Sequence, residues 1–145
     1  MNERGNGPMG RVVVEVDLAN NEEIVKATAG ILPPDRIRHV RLAGIVDTGA
    51  TRLVIPESVV AELGLTPVGE TKVRYADQRT ATRPIVSNVW LKLLGRDGIF
   101  KAIVEPDRKD VLVGAIVLED LDFVVDCITQ KLQPRDPDRI ISEIE

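Results

Sequence analysis

The chain has 145 residues, 43% of them hydrophobic and 29% charged, enough for one soluble domain that closes a real core. A formal net charge of −4 and only 3% aromatic residues argue against the basic face and stacking rings of a general nucleic-acid binder, so no nucleic-acid partner is expected. A lone cysteine excludes an intrachain disulfide, and no apolar run approaches the ~20 residues of a membrane span, so a cytoplasmic protein without a membrane partner is expected.

Residues 1–10 (MNERGNGPMG) are glycine-rich, lack a signal peptide's apolar core and read as a flexible tail. One domain is expected over residues 11–133, with residues 134–145 as a polar C-terminal tail, helical in its last residues. Scarce aromatics leave Val, Ile and Leu to fill the core, which favours strands. Arg11 to Leu18 (RVVVEVDL) is a strand by composition and alternation. Asn20 and Asn21 mark a turn, and EEIVKATAGI, Glu22 to Ile31, reads as a second strand closing a hairpin. Pro33 and Pro34 then remove two ladder donors. From Ile37 the chain alternates, with Arg38 and Arg41 on solvated faces, then turns wholly apolar at Ala43 to Val46, which predicts a strand delivering Asp47 to the interior.

Thr51 to Ile55 is another short strand. Pro56, Glu57, the helical spacing of the apolar residues and Gly64 as a stop predict a short helix over Pro56 to Leu65. ETKVRYA and RTATRPIVSNVWLKLL are two strands joined around Ala76, Asp77 and Gln78, a hairpin long enough to project. GRDG, Gly95 to Gly98, reads as a turn into the strand IFKAIVE, and PDRKD as a turn into VLVGAIVLEDL. FVVDCITQKL, Phe123 to Leu132, reads as a final strand with Cys127 in the core, and Trp90 packs in the core or at an interface. Many short strands with one short helix indicate an all-β, barrel-like domain.

Chemistry concentrates at Asp47-Thr48-Gly49-Ala50. Gly49 lets backbone or substrate come close, and Thr48 can brace a tight loop with its one donated hydrogen bond. An acid ending an apolar strand lies where burial disfavours its charged form, and a second such acid beside it would share one proton with it. One protonated and one ionised carboxyl together activate water and protonate a leaving group. A strand-ending Asp followed by Gly is also a common turn device, so the tripeptide alone leaves a structural role open.

The segments IVDTGATRLVIPESVVAELGL, the hairpin around RYADQRTATRP, and VLVGAIVLEDLDFVVDCITQKL occur in the order seen in the retropepsin-like aspartic proteases of clan AA, in their bacterial single-domain form, and the chain resembles that family from about Ile37 to Leu132. The resemblance implies a closed or partly open β-barrel with a flap hairpin, acting as a homodimer on a peptide or protein substrate. Each subunit would give one Asp47, with Thr48 locking the two loops across the axis. Val113 and Gly114 would support the loop from beneath, where a plain buried strand and turn is the alternative. Tyr75, Ala76, Asp77 and Gln78 would form the substrate-covering flap, with Tyr75 either lining the cleft or simply packed. Ala50 offers the aspartate no hydroxyl, unlike relatives with Ser or Thr there, so activity is expected to reach milder pH.

Other chemistry finds little support. His39 is the only histidine and reads as a surface strand residue, so neither a histidine triad nor a multi-histidine metal site forms within one chain. No glycine-rich phosphate loop accompanies AIVLED. Glu119, Asp120, Asp122 and Asp126 lack the order of a calcium loop and read as a solvated face. The expectation is therefore an aspartic endopeptidase without metal or cofactor. Its alternatives are a non-catalytic dimerisation or peptide-binding module on the same fold, and a purely structural β-domain.

Overall fold

The computed structural model describes residues 11–145; the tail expected at residues 1–10 lies outside the described residues. The elements, in chain order, are β1 (Val12–Asn20), α1 (Asn21–Thr28), β2 (His39–Val46), β3 (Leu53–Pro56), α2 (Glu57–Leu63), β4 (Pro67–Arg74), β5 (Thr80–Leu93), β6 (Arg96–Glu105), β7 (Val111–Val113), α3 (Ala115–Asp120), β8 (Phe123–Asp126) and β9 (Lys131–Pro134). Six strands close on themselves in the order β1-β2-β7-β3-β6-β5, with β5 returning to β1. The fold is a closed, mostly β barrel, the barrel class expected from the sequence. β4 hangs on the outer stretch of β5, and β8 and β9 form a separate two-stranded sheet.

Alternation explains the barrel interior. Val12, Val16 and Leu18 of β1 face inward and meet Val86, Val89 and Leu91 of β5, Leu53 and Ile55 of β3, and Val111 and Val113 of β7, all buried. Phe100 and Phe123 are the aromatic members of this otherwise aliphatic core. β5 does two jobs. Residues from Thr80 to Val86 pair with β4, Ile85 and Val86 pair with β6 as well, and residues from Val89 onward pair with β6 and β1. A register shift between Val86 and Val89, with Asn88 at φ 61°, bends the strand between these roles.

Several expected elements differ. Glu22–Ile31 does not close a hairpin: its first part is α1, and β1 pairs with β2 instead. The Asn20 carboxamide accepts the Glu23 amide at 3.2 Å, and Glu22 and Glu23 lie at the positive end of the helix with Lys26 in its last turn. Asn20 is buried and also donates to the Leu63 carbonyl at 2.9 Å, joining the start of α1 to the end of α2. That end is fixed by Gly64, whose φ of +70° is a left-handed conformation that favours glycine. The β5–β6 turn is Leu94-Gly95, both at positive φ, so Arg96, Asp97 and Gly98 belong to β6 rather than to a turn. Trp90 is half-buried on β5, with its indole N–H donated to Asp97 Oδ2 at 3.0 Å. AIVLED is a third helix, α3, so three short α-helices stand where one was expected.

The final strand is in fact a hairpin. Asp126 Oδ1 accepts the amides of Ile128 and Thr129 and turns the chain between β8 and β9, leaving Cys127 exposed rather than in the core. Beyond Pro134 the chain has no helix, yet it is tied down. Asp122, expected on a solvated face, is buried; its Oδ1 accepts Arg135 Nε at 2.6 Å and its Oδ2 accepts the Ile141 amide at 3.1 Å. Arg96 donates to the carbonyls of Leu121, Asp122 and Asp136 from the other side.

The Arg135 hydrogen bond, and after it the Ile141 amide, hold the Asp122 carboxyl below its ordinary range. A depressed folded-state value stabilises the fold above the unfolded aspartate's value, about 3.9, and that gain is lost as pH falls through the folded value. The urea midpoint of the wild type should therefore exceed that of Asp122→Asn at pH 7, and the gap should close below about pH 4. A gap independent of pH would show that the charge of Asp122 contributes nothing.

Candidate active site

β2 ends at Val46, and its apolar run carries the chain out to Asp47 at the barrel's end. The Asp47 amide donates to the Val113 carbonyl at 3.0 Å, extending the parallel β2–β7 ladder by one residue. The chain then folds tightly back. The Ala50 amide donates to the Asp47 carbonyl at 3.1 Å, and the Gly49 amide to Asp47 Oδ1 at 2.9 Å. A Cβ at Gly49 would lie 3.2 Å from that same oxygen, so a glycine keeps the carboxylate's side of the turn open. Thr48 and Gly49 are exposed and Ala50 is half-buried.

Asp47 itself is half-buried rather than delivered to the interior. The strand carries it to the rim of the barrel, where β7 and α3 hold the loop through Val113, Ala115 and Ile116. β7 enters between β2 and β3, parallel to the first and antiparallel to the second. Val113 is fully buried there. At Gly114 the chain starts α3, whose first two amides have no partner within the helix. The Ala115 amide donates to the Ala50 carbonyl at 2.8 Å and the Ile116 amide to the Thr51 carbonyl at 2.9 Å. A Cβ on Gly114 would fall 2.3 Å from the Arg52 carbonyl oxygen and 2.8 Å from that of Ala50. The structure thus brings Asp47, Thr48, Gly49, Ala50, Val113 and Gly114 together at one end of the barrel.

Tyr75, Ala76, Asp77 and Gln78 sit apart from that group, at the tip of the β4–β5 ribbon. The tip closes through Gln78 N to Tyr75 O and Tyr75 N to Arg79 O, each 2.9 Å, with Gln78 at φ 73°. Asp77 accepts the Arg79 amide at 3.1 Å and pairs with its guanidinium at 2.7 Å, which also lies over the Tyr75 ring at 5.1 Å. Ala76, Asp77 and Gln78 are exposed, whereas Tyr75 is half-buried. Its hydroxyl donates to Glu105 Oε1 at 3.0 Å and accepts Arg83 Nε at 3.2 Å. Burial, then the Glu105 carboxylate, push the phenol above its ordinary range. Tyr75, Arg79, Arg83, Glu105, Pro106, Asp107 and Arg108 line an open pocket of about 300 Å³ between the ribbon and the β6–β7 connection. Arg83 and Glu105 were not singled out from sequence: they are 22 positions apart and only the strand pairing brings them together.

His39 is exposed at the start of β2, the far end from Asp47. Among the described residues no three His, Cys, Asp or Glu side chains are grouped to hold a metal ion. No described helix is long and apolar enough to cross a membrane.

A family profile described as Aspartyl protease matches residues 36–125, more than half of the chain, from just before β2 into β8. No curated protein matches the sequence.

The close approach at Gly114 makes a sharp prediction. Gly114→Ala must push apart two backbone carbonyls that no side-chain rotation can move, and should lower the unfolding free energy by about 1–3 kcal/mol. Urea denaturation measures this; a variant as stable as the parent would show that the loop is not held from beneath.

Proposed function

The chain belongs to the aspartyl protease family, within the retropepsin-like proteins of clan AA, and from that premise we propose that it is an endopeptidase whose active site is assembled from two copies of the chain. The family's general activity is hydrolysis of peptide bonds in protein substrates. In the proposed form each subunit supplies one Asp47 at a two-fold axis, where a residue near the axis meets its own copy. The observation that carries this reading is the placement of Asp47 at the open end of the barrel, in a loop braced from below and exposed at Thr48 and Gly49. An acid needed only to end a strand would not require a glycine-held cradle beneath it.

The chemistry follows from two like carboxyls sharing one proton. Two negative charges at close range repel, so one Asp47 holds a proton while the other is ionised. The ionised carboxylate takes a proton from water as its oxygen bonds to the peptide carbonyl carbon. The protonated carboxyl gives its proton to the carbonyl oxygen, leaving a neutral tetrahedral gem-diol. A proton then passes from the carboxyl that received it to the amide nitrogen. One gem-diol hydroxyl gives its proton to the other, now ionised, carboxylate as the C–N bond breaks, and the acid and amine products leave a dyad that again shares one proton. Thr48, exposed in one subunit, would donate across the axis and fix the two loops. The β4–β5 ribbon would act as the flap that covers an extended peptide, which binds as an added strand. Cytoplasmic action without metal or cofactor belongs to the same proposal.

The test compares wild type with Asp47→Asn on an unfolded protein between pH 4 and 7. Cleavage blocked by a statine-type inhibitor, and reduced at least about a thousandfold in the variant, supports the peptidase. Equal inactivity of both proteins with dimers intact by sedimentation would instead identify a non-catalytic binding module. A separate expectation concerns Ala50: placing a hydroxyl beside the dyad with Ala50→Ser should stabilise its ionised form and move the acid limb of the pH–rate profile to lower pH. An unmoved limb would remove Ala50 from any part in setting the working pH.

A further inference from the structure

The β5–β6 ladder ends at Ile85 opposite Ile103. Outward from there β5 pairs with β4 alone, from Glu70 opposite Pro84 to Arg74 opposite Thr80. A two-stranded ribbon is marginal by itself in water, so something must hold it against the barrel. One face of it, Thr71, Val73, Tyr75, Ala81 and Arg83, is half-buried and turned toward the body of the protein. The polar ties from that face converge on one atom. Glu105 Oε1 accepts the Tyr75 hydroxyl at 3.0 Å and Arg83 Nε at 2.5 Å, and Arg83 also donates to the Tyr75 oxygen.

We propose that Glu105 is a positioning residue that latches the flap down over the cleft, acting through the Tyr75 hydroxyl and the Arg83 guanidinium. The proposal rests on the reading of the β4–β5 ribbon as a substrate-covering flap. One carboxylate oxygen holds both strands of the ribbon at once, since Tyr75 follows β4 and Arg83 lies in β5. Glu105 is the fixed end, because its backbone lies at the end of β6 opposite Pro56 of β3, inside the barrel ladder. The Arg83 and Glu105 side chains are 28% and 18% exposed, whereas the Arg79–Asp77 pair at the tip is 73% and 58% exposed. Water therefore screens the tip pair, which only shapes the turn, more than it screens the latch. Both bonds go to an ionised acceptor and are the stronger for it. Opening the flap means breaking both, and a bound peptide must leave them intact for the cover to close.

Hydrogen exchange of the amides of residues 71–82 reads the latch directly. Glu105→Ala should speed their exchange about three- to tenfold, with Tyr75→Phe and Glu105→Gln speeding it less, because each of those keeps part of the arrangement. Amides of β1 and of residues 96–103 should stay as in the wild type. With a peptide substrate the same variants should raise KM several-fold while the acid limb of the pH profile stays in place. Unchanged exchange over residues 71–82 in Glu105→Ala, or equal acceleration over β1 and β6, overturns the proposal. Selective acceleration in a protein that cleaves nothing leaves the latch standing and refutes the peptidase reading instead.

Discussion

The backbone approach at Gly114, too tight for a Cβ against the carbonyls of Ala50 and Arg52, sets where the acid loop lies. The reason is a mutual need. A tight loop at the end of a barrel has carbonyls without ladder partners, and a helix that starts beneath it has amides without partners. Ala50 and Thr51 supply the carbonyls and Ala115 and Ile116 the amides, and the two deficits cancel only if the chains come close. A glycine at the junction makes that possible. The parallel ladder between β2 and β7 adds the last restraint, through the Asp47 amide on Val113. The position of residue 47 thus depends on residues 111–116, a segment distant in sequence.

The same sheet divides into a closed part and a ribbon paired on one side only. Inward of the Asn88 bend, β5 is locked between β6 and β1 and carries fully buried Val89, Leu91 and Leu93. Outward of Ile85, where the ladder to β6 ends, the strand belongs to a ribbon with one half-buried face and side-chain ties to the barrel. Precision favours mounting an acid on the fixed part, where packing over-determines it, and a cover needs the freedom of the ribbon. The geometry separates the two along a single strand. In the proposed function this lets the flap rise and fall without disturbing Asp47.

Local pattern carried the reading wherever one face of an element is buried. The apolar end of β2, the Pro56–Glu57–Gly64 signals of α2 and the alternation of β4 and β5 were legible for that reason, as was the barrel class. α1 was missed because Ile24 and Val25 looked like strand residues; the Asn20 cap with Glu23 three positions on, and Lys26 near the end, were the better signal. AIVLED is too short for its apolar run to distinguish helix from strand, and only docking under the loop decides it. The break in the last strand lay in Asp126, whose side chain competes with the ladder for the following amides. The Asp122–Arg135 pair and the Arg83–Glu105 pair carry no local mark at all. Both exist only because the topology brings opposite charges together, and a periodicity argument has no access to topology.

The half-exposure of Asp47 follows from the same architecture and bears on the chemistry. An apolar strand was expected to bury the acid, yet a strand that ends at the rim of a barrel can bury only what lies before its last residue. Val46 is buried, and Asp47, one position on, is not. Whatever lowers the dielectric around this carboxylate must come from outside the strand, and in the proposed function that is the flap, a bound peptide and a second copy of the loop. For a dyad this arrangement has a physical advantage. A carboxylate sealed within one chain would bear the cost of desolvation in every state of the protein, whereas one covered only on assembly meets that cost when its partner is present to share the proton. In the proposed function the open loop of a single chain and the need for two acids are then two sides of one design, in which assembly completes the environment for the reaction.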